Sequence, residues 1–298
     1  MATDGNVTKA PGGNATLAGR RVARIGLGAM QLAGGPAESG VAVARDAVAA
    51  GVNHIDTAEF YGAGRCNELI RDALAPYPED LALVSKVGAE HDEQRGLVTA
   101  QRPEQLRAQV QANLTSLGVE RLDVVNLRRA DAPPGLIAEG DQVVDLDSQL
   151  AELIALRDEG RIGGIGLSNV SADQLRQALP AGIACVQNAY SLLDRASQPV
   201  LDACREHGIA WVPYFPLGSA FPQIPKVTAH PAVIAAATAL GVTPAQVGLA
   251  WLLETYAQTL LIPGTANPAH VTENIAAGDV HLDRETIETL DRIAESAA

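Results

Sequence analysis

The chain has 298 residues, of which 47% are hydrophobic and 28 are glycine. A folded unit of that size buries about 75% of the surface its extended chain exposes, so a large core is expected and wholesale disorder is excluded. The 22 basic and 35 acidic side chains leave a net charge of −13 without a lysine- or arginine-rich block, so neither a nucleic acid nor an anionic membrane surface is an expected partner.

The opening segment, residues 1–15, is polar and glycine-rich and reads as a flexible tail, leaving 16–298 as a single domain. Val22–Leu27 reads as a strand and Gly40–Ala50 as a helix. Val52–Asp56 and Cys66–Leu74 repeat the pair, followed by Leu81–Lys86 and Pro103–Leu117, a helix opened by proline in its first turn. Leu122–Leu127 is the next strand, and Leu146–Arg157 a helix stopped by Gly160. Ile162–Leu167 precedes Ala172–Leu179, and Ile183–Asn188 precedes Pro199–Glu206. Ile209–Tyr214 is a strand, and Pro231–Leu240 and Pro244–Leu253 are helices. Thr259–Ile262 is the last strand, with Ala269–Ala276 and Leu282–Ile293 as closing helices. Pro133–Asp145 and Gly218–His230 read as loops.

Short, continuously apolar strands alternating with helices predict a parallel sheet covered on both faces. Eight such units predict an α/β fold of the (β/α)8 TIM-barrel type, with a doubly wound sheet as the competing architecture. Cys66, Cys185 and Cys204 form no CxxC pair, which fits a reducing compartment. No apolar signal segment opens the chain, and no apolar run reaches about 18 residues. A cytoplasmic address is expected, with no membrane partner.

In a βα barrel, ligands meet the C-terminal ends of the strands. There the sequence places Asp56 and Tyr61, Lys86, Arg128, Ser168 and Asn169, Gln187, Tyr214, and Gly264 with Thr265. Several of these residue types also suit caps and turns. Asp56, Tyr61 and Lys86 form a coherent set. An ammonium beside a phenol favours the phenolate and lowers its pKa from about 10. An aspartate behind the lysine holds it charged. The product is an acid able to protonate a developing alkoxide. The matching hydride must come from a nicotinamide cofactor, since no side chain supplies one. The third glycine of a dinucleotide fingerprint is missing after Gly26-Leu27-Gly28. The six histidines show no HExxH pair and no metal is expected, although His54 could serve a metal-dependent barrel.

In combination, GLGAMQLAG, GVNHIDTAEFYG, LVSKVG, GGIGLSNVSADQL, VQNAYSLL and LLIPGTANPAHVTENIAA resemble the aldo-keto reductases from about Arg21 onward. The resemblance implies a barrel with an N-terminal β-hairpin across its base, spanning Leu17–Arg24 in part. It implies NADP as cofactor, with NADH as the alternative, and a small-molecule carbonyl substrate, and leaves the oligomeric state open. The family's catalytic tetrad is Asp, Tyr, Lys and His. Asp56, Tyr61 and Lys86 match the first three, while Leu127-Arg128 stands where relatives read Leu-His, so the expectation is a usual catalytic histidine replaced by arginine. By the same resemblance Asp56 approaches the nicotinamide ribose, Ser168, Asn169 and Gln187 bind the carboxamide, and Tyr214 stacks on the ring. Pro216, Leu217 and Gly218 follow the pyrophosphate. Gly264, Thr265 and Ala266 surround the 2′-phosphate, and His270, Glu273 and Asn274 the adenine end. Phe60 and Phe221 are expected as pocket walls. The leading expectation is NADP(H)-dependent reduction of an aldehyde or ketone. A nicotinamide-binding sensor with little turnover and a metal-dependent lyase or hydrolase stand as alternatives.

Overall fold

The structure, a computed structural model, describes residues 10–132, 135–218 and 224–295. It opens with an antiparallel hairpin, β1 (Asn14–Leu17) and β2 (Arg20–Ala23). Ala18 and Gly19, at the turn, both have positive φ, 48° and 79°, the backbone a tight hairpin requires. After β3 (Leu27–Gly28) come α1 (Ala37–Ala49), β4 (His54–Asp56), α2 (Arg65–Leu74) and β5 (Ala82–Val87). A second hairpin follows, β6 (Ala89–Asp92) with β7 (Gly96–Thr99). Next are α3 (Pro103–Leu117), β8 (Leu122–Arg128), α4 (Leu146–Asp158), β9 (Ile162–Ser168) and α5 (Ala172–Ala178). The chain continues through β10 (Ile183–Gln187), α6 (Gln198–His207), β11 (Ala210–Trp211), α7 (Pro231–Leu240), α8 (Pro244–Thr255), α9 (Pro268–Ala276) and α10 (Arg284–Glu295).

The main sheet has seven strands in the order β3-β4-β5-β8-β9-β10-β11, every pair parallel. It is curled and flanked by helices. The segment 259–264 meets both its edges through single parallel bridges: Thr259 to Trp211 on one side, Leu261 to Ile25 and Gly264 to Gly28 on the other. The eighth expected strand is therefore present as isolated bridges rather than a ladder. The seventh is cut to two residues, because Pro213 donates no backbone hydrogen bond.

The first expected strand, Val22–Leu27, divides. Its beginning belongs to the hairpin and its end to the sheet, with Gly26 at the bend. A Cβ on Gly26 would lie 2.1 Å from the His54 ring, so the chain passes against that ring only because glycine has no side chain. The β6–β7 hairpin was not expected. Its turn is held by the Asp92 carboxylate, which accepts from the backbone N–H groups of Gln94 and Arg95.

Hairpin residues Ala15, Leu17 and Val22 pack against Ala82, Val84, Val124, Cys185 and Ala210 inside the curl. Asp123, near the start of β8, accepts from Arg20 of the hairpin and from the Leu83 amide. The hairpin thus covers the N-terminal end of the sheet and leaves the C-terminal ends facing the loops. The larger aliphatic core lies between sheet and helices.

Candidate active site

Asp56 ends β4 and is buried, 3% exposed. Lys86, one residue before the end of β5, is 7% exposed. The two strands are hydrogen-bonded neighbours, so the Lys86 ammonium donates to Asp56 Oδ1 and also reaches the Thr57 carbonyl at 3.2 Å. Asp56 Oδ2 accepts from Gln187 Nε2 at 2.6 Å. Tyr61 follows on the turn after β4, with Lys86 Nζ 5.0 Å from its ring centroid. Two residues expected far apart in sequence as catalytic and carboxamide-binding groups, Asp56 and Gln187, are therefore in direct contact.

Burial pushes the Tyr61 phenol up, and the Lys86 charge opposes it. The sequence-based expectation of a lowered pKa considered the lysine alone. In the structure burial wins, so the phenol stays protonated at neutrality. For Lys86, burial by itself lowers the pKa. The Asp56 charge, with hydrogen bonding to Asp56 and Tyr61, more than offsets this and holds it above the ordinary lysine value. The cluster is a buried cation, a buried anion and a neutral phenol able to release a proton.

The expectation of a missing catalytic histidine is corrected here. His54 is intact on the same strand as Asp56, near the Asp56–Lys86 cluster and coupled to the Asp56 charge. The family motif puts histidine after a leucine at the end of the strand, where this chain has Leu127-Arg128. Residues two apart on a strand share a face, and this places His54 in the layer next to Asp56. Its ring is buried against Gly26, with Nε2 lacking a partner. Burial pushes its pKa down to about 4. That value lies below the ordinary 6.5, so the unfolded chain binds a proton that the folded chain refuses. The resulting stability is complete above pH 6.5 and is lost as pH falls from there through about 4. The linkage is worth about 3 kcal/mol. Urea midpoints measured at pH 7 and pH 4.5 should therefore converge in His54→Gln relative to the parent. Equal pH dependence in both would show that His54 is not the group being titrated.

Arg128 ends β8, opposite Ser168 of β9. Ser168 is buried, and Asn169 follows with φ 60°. The Asn169 amide donates to the carbonyls of Arg129 and Ala132, and the Tyr214 hydroxyl donates to its Oδ1 at 3.5 Å. Tyr214 is bridged to Ala189. Asp56, Tyr61, Lys86, Arg128, Ser168, Asn169, Gln187 and Tyr214 thus gather at one end of the sheet. Gln187 Oε1 is buried and unpartnered. An amide N–H donor placed there would satisfy it, which fits the carboxamide expected at this position.

The other expected cofactor residues lie along the adjoining rim. Pro216 is bridged to Gly218, whose φ is 85° and whose Cβ would meet the Pro225 carbonyl at 2.2 Å. Only glycine makes that turn. Leu217 accepts from the Val227 amide. Gly264 packs on Gln31, leaving no room for a side chain. Thr265 is buried, and its hydroxyl accepts from the Asn267 amide and contacts His270 Nδ1 at 3.3 Å. Ala266 is half-buried beside them. The Glu273 carboxylate accepts from the Thr243 hydroxyl, the N-cap of α8, so Glu273 braces α8 against α9. Asn274 is half-buried in the last turn of α9. Phe60 packs edge-on against Tyr61 at 5.2 Å, while Phe221 lies outside the described residues.

A polar layer behind the site was not read from the sequence. Asn67 on α2 accepts from the Thr57 hydroxyl and donates to Glu59, Asn113 and Ser116. Ser116 also donates to Glu59, and Ser85 to Asn113. These bonds pin the turn between Asp56 and Tyr61 to α2, α3 and β5. The only sequence signal was polar residues on otherwise apolar helix faces. Among the described residues no three His, Cys, Asp or Glu side chains are grouped to hold a metal ion. Nor is any single described helix long and apolar enough to cross a membrane.

An ammonium–carboxylate pair beside a protonated phenol, at the open end of a curled parallel sheet, is the equipment of an enzyme that moves a proton to or from a carbonyl or alcohol oxygen. The chain belongs to the aldo/keto reductase family, whose model matches residues 24–295. It is 43% identical to the pyridoxine 4-dehydrogenase of Escherichia coli, over 94% of this chain and 97% of that protein. It is 28% identical to the NADH-specific methylglyoxal reductase of the same organism, over 91% and 96% of the two chains. Among solved structures it is similar to an aldo/keto reductase from Klebsiella pneumoniae in complex with NADP and acetate. That likeness has a TM-score of 0.77 and 27% identity, covering 94% and 95% of the two chains.

Proposed function

We propose that this chain catalyses NADP(H)-dependent interconversion of a small aldehyde and its alcohol, with Asp56, Tyr61, Lys86 and Arg128 as its catalytic groups. The carrying observation is the contact chain Gln187–Asp56–Lys86 beside Tyr61. When bound, the nicotinamide supplies or accepts the hydride. Tyr61 holds the proton destined for the carbonyl oxygen. Lys86 lowers the cost of the phenolate left behind, and Asp56 keeps Lys86 charged. Arg128, at the end of β8, adds a fixed positive charge next to the developing oxyanion. Gln187 Oε1, Ser168 and Asn169 would hold the carboxamide and Tyr214 the ring. The turn Pro216–Gly218 would follow the pyrophosphate. Gly264, Thr265, Ala266, His270, Glu273 and Asn274 would line the adenosine end.

The similarity to pyridoxine 4-dehydrogenase supports a pyridine carbaldehyde such as pyridoxal as substrate. The solved relative holding NADP supports the phosphorylated cofactor. The parallel bridges from 259–264 to both sheet edges support a closed (β/α)8 barrel as one domain, and β1 carries that domain back from the expected residue 16 to Asn14.

The test is a cofactor titration followed by turnover. Trp211 is fully buried in β11, and Trp251 lies on α8. Their fluorescence should be quenched at lower NADPH than NADH, and NADPH should be oxidised steadily with pyridoxal. Saturable quenching without turnover of any aldehyde would favour a sensor. Turnover without nucleotide and lost on chelation would favour the metal-dependent alternative.

A further inference from the structure

Arg128 ends β8 and Arg129 follows it, and the two are used in opposite ways. Arg129 is buried and saturated. Its Nε and Nη2 donate to the Asp131 carboxylate, and its Nη1 to the Val144 carbonyl and Gln149 Oε1. Asp131 also accepts from Gln174 on α5. Arg129 is a strut that ties the loop after β8 to α4 and α5.

Arg128 has a backbone as firmly held, but its guanidinium is not spent. Its carbonyl accepts from Gln101 Nε2 at 2.8 Å, and a Cβ on Gly88 would lie 2.4 Å from that oxygen. Nη2 lies against Gly135, where an added Cβ would be 2.3 Å away. Nη1 is buried and has no hydrogen-bond partner. Among the described residues no carboxylate forms an ion pair with Arg128. Arg128 ends β8 opposite Ser168 and two residues past Asn126, the neighbour of Lys86 across the sheet, so it stands at the end of the sheet that carries Lys86; its charge also bears on the phenols of Tyr61 and Tyr214.

Arg128 as a whole is half-buried, but a buried guanidinium N–H such as its Nη1 normally has an acceptor. A neutral carbonyl oxygen held by Tyr61 leaves the positive charge of Arg128 without a counter-charge. An anionic oxygen on the substrate, close to the carbonyl carbon, would supply both acceptor and charge. In pyridoxal that oxygen is the ring phenolate, on the carbon next to the one bearing the formyl group.

Building on the proposed aldehyde reduction, we propose that Arg128 is a specificity-determining residue, selecting aromatic aldehydes with an anionic oxygen on the neighbouring ring carbon. Its unpartnered, buried Nη1 is the recognition donor. With its carbonyl oxygen at Tyr61 and its anionic oxygen at Nη1, an aldehyde of this class would be bound with its carbonyl oriented.

The test compares pyridoxal with 3-O-methylpyridoxal, which keeps the ring and aldehyde but lacks the anion. Each is assayed by NADPH oxidation with the parent protein, R128M and R128K. The parent should prefer pyridoxal by about tenfold or more in kcat/KM. R128M should bring that ratio to about one, and R128K, which retains a point charge, should keep part of it. Thermal melting adds a second reading. R128M should melt no lower than the parent, since no protein partner is lost at Nη1, whereas a strut such as Arg129 would destabilise when cut. A parent ratio near one, or an unchanged ratio in both variants, overturns the assignment while leaving aldehyde reduction intact. Failure of the parent to reduce either aldehyde overturns both.

Discussion

Tyr61→Phe is expected to lower kcat for aldehyde reduction by about 10²–10⁴, the usual contribution of a positioned general acid. NADPH quenching of the tryptophans should be retained. The expectation rests on how the other titratable groups of the Asp56–Lys86 cluster, among the described residues, hold their protons. Lys86 has its proton held by Asp56, and its pKa lies above the ordinary lysine value. His54, with a pKa of about 4, carries no dissociable charge-bearing proton near neutrality. It is also packed under Gly26. Burial raises the pKa of Tyr61, while Lys86 and then Arg128 pull it down. The phenol is therefore protonated when substrate binds, and two cations await the phenolate when the proton leaves. Stopped-flow turnover of pyridoxal would measure the loss. A drop of less than tenfold would show that water or another group delivers the proton. In the parent, reduction should fall only on the alkaline side, because the raised phenol pKa keeps the acid form available through neutrality.

How much of this was legible beforehand differs by residue. The repeating strand–helix rhythm located β4, β5, β8, β9 and β10 closely, because their apolar runs are bounded by glycine, proline and charged residues. The edges of the curl were less legible. Near β3 the run Ile25-Gly26-Leu27-Gly28 is apolar, yet only Leu27 and Gly28 join the ladder. The rest is shaped by the His54 ring, a tertiary partner far along the chain. The β1–β2 turn used Ala18 beside Gly19 rather than the Asn-Gly type that advertises a hairpin.

Within the site, residue identity was legible and coupling was not. Asp56, Lys86 and Gln187 each sit at a strand end, which strand register alone can place. That Asp56 uses one oxygen for Lys86 and the other for Gln187 depends on side-chain packing across the sheet. The histidine was misread for a related reason. A motif compares positions along one strand, whereas His54 enters the cluster's surroundings from the strand that carries Asp56. The Glu59–Asn67–Asn113–Ser116 layer was invisible because its members come from two helices and a turn. No local spacing joins them.

The contact at the centre of that coupling yields the second large effect. Lys86→Met removes the only cation that, among the described residues, is hydrogen-bonded to the Asp56 carboxylate, itself 3% exposed. Asp56 would keep Gln187 Nε2 but lose its counter-charge. Breaking a buried pair by deleting one partner typically costs about 3–5 kcal/mol, because the remaining charge is left uncompensated. Activity should fall at least as far as in Tyr61→Phe, since the phenolate loses its principal stabilising charge. The two effects separate in a double-mutant cycle. Asp56→Asn combined with Lys86→Met replaces both charges with neutral groups of similar size, and should recover most of the stability in urea denaturation. It should recover none of the turnover, because Tyr61 remains without its cation. If Lys86→Met alone were as stable as the parent, the pair would not be buried as the structure describes. If the double variant regained activity, the lysine would be a strut for Asp56 rather than the group that tunes Tyr61.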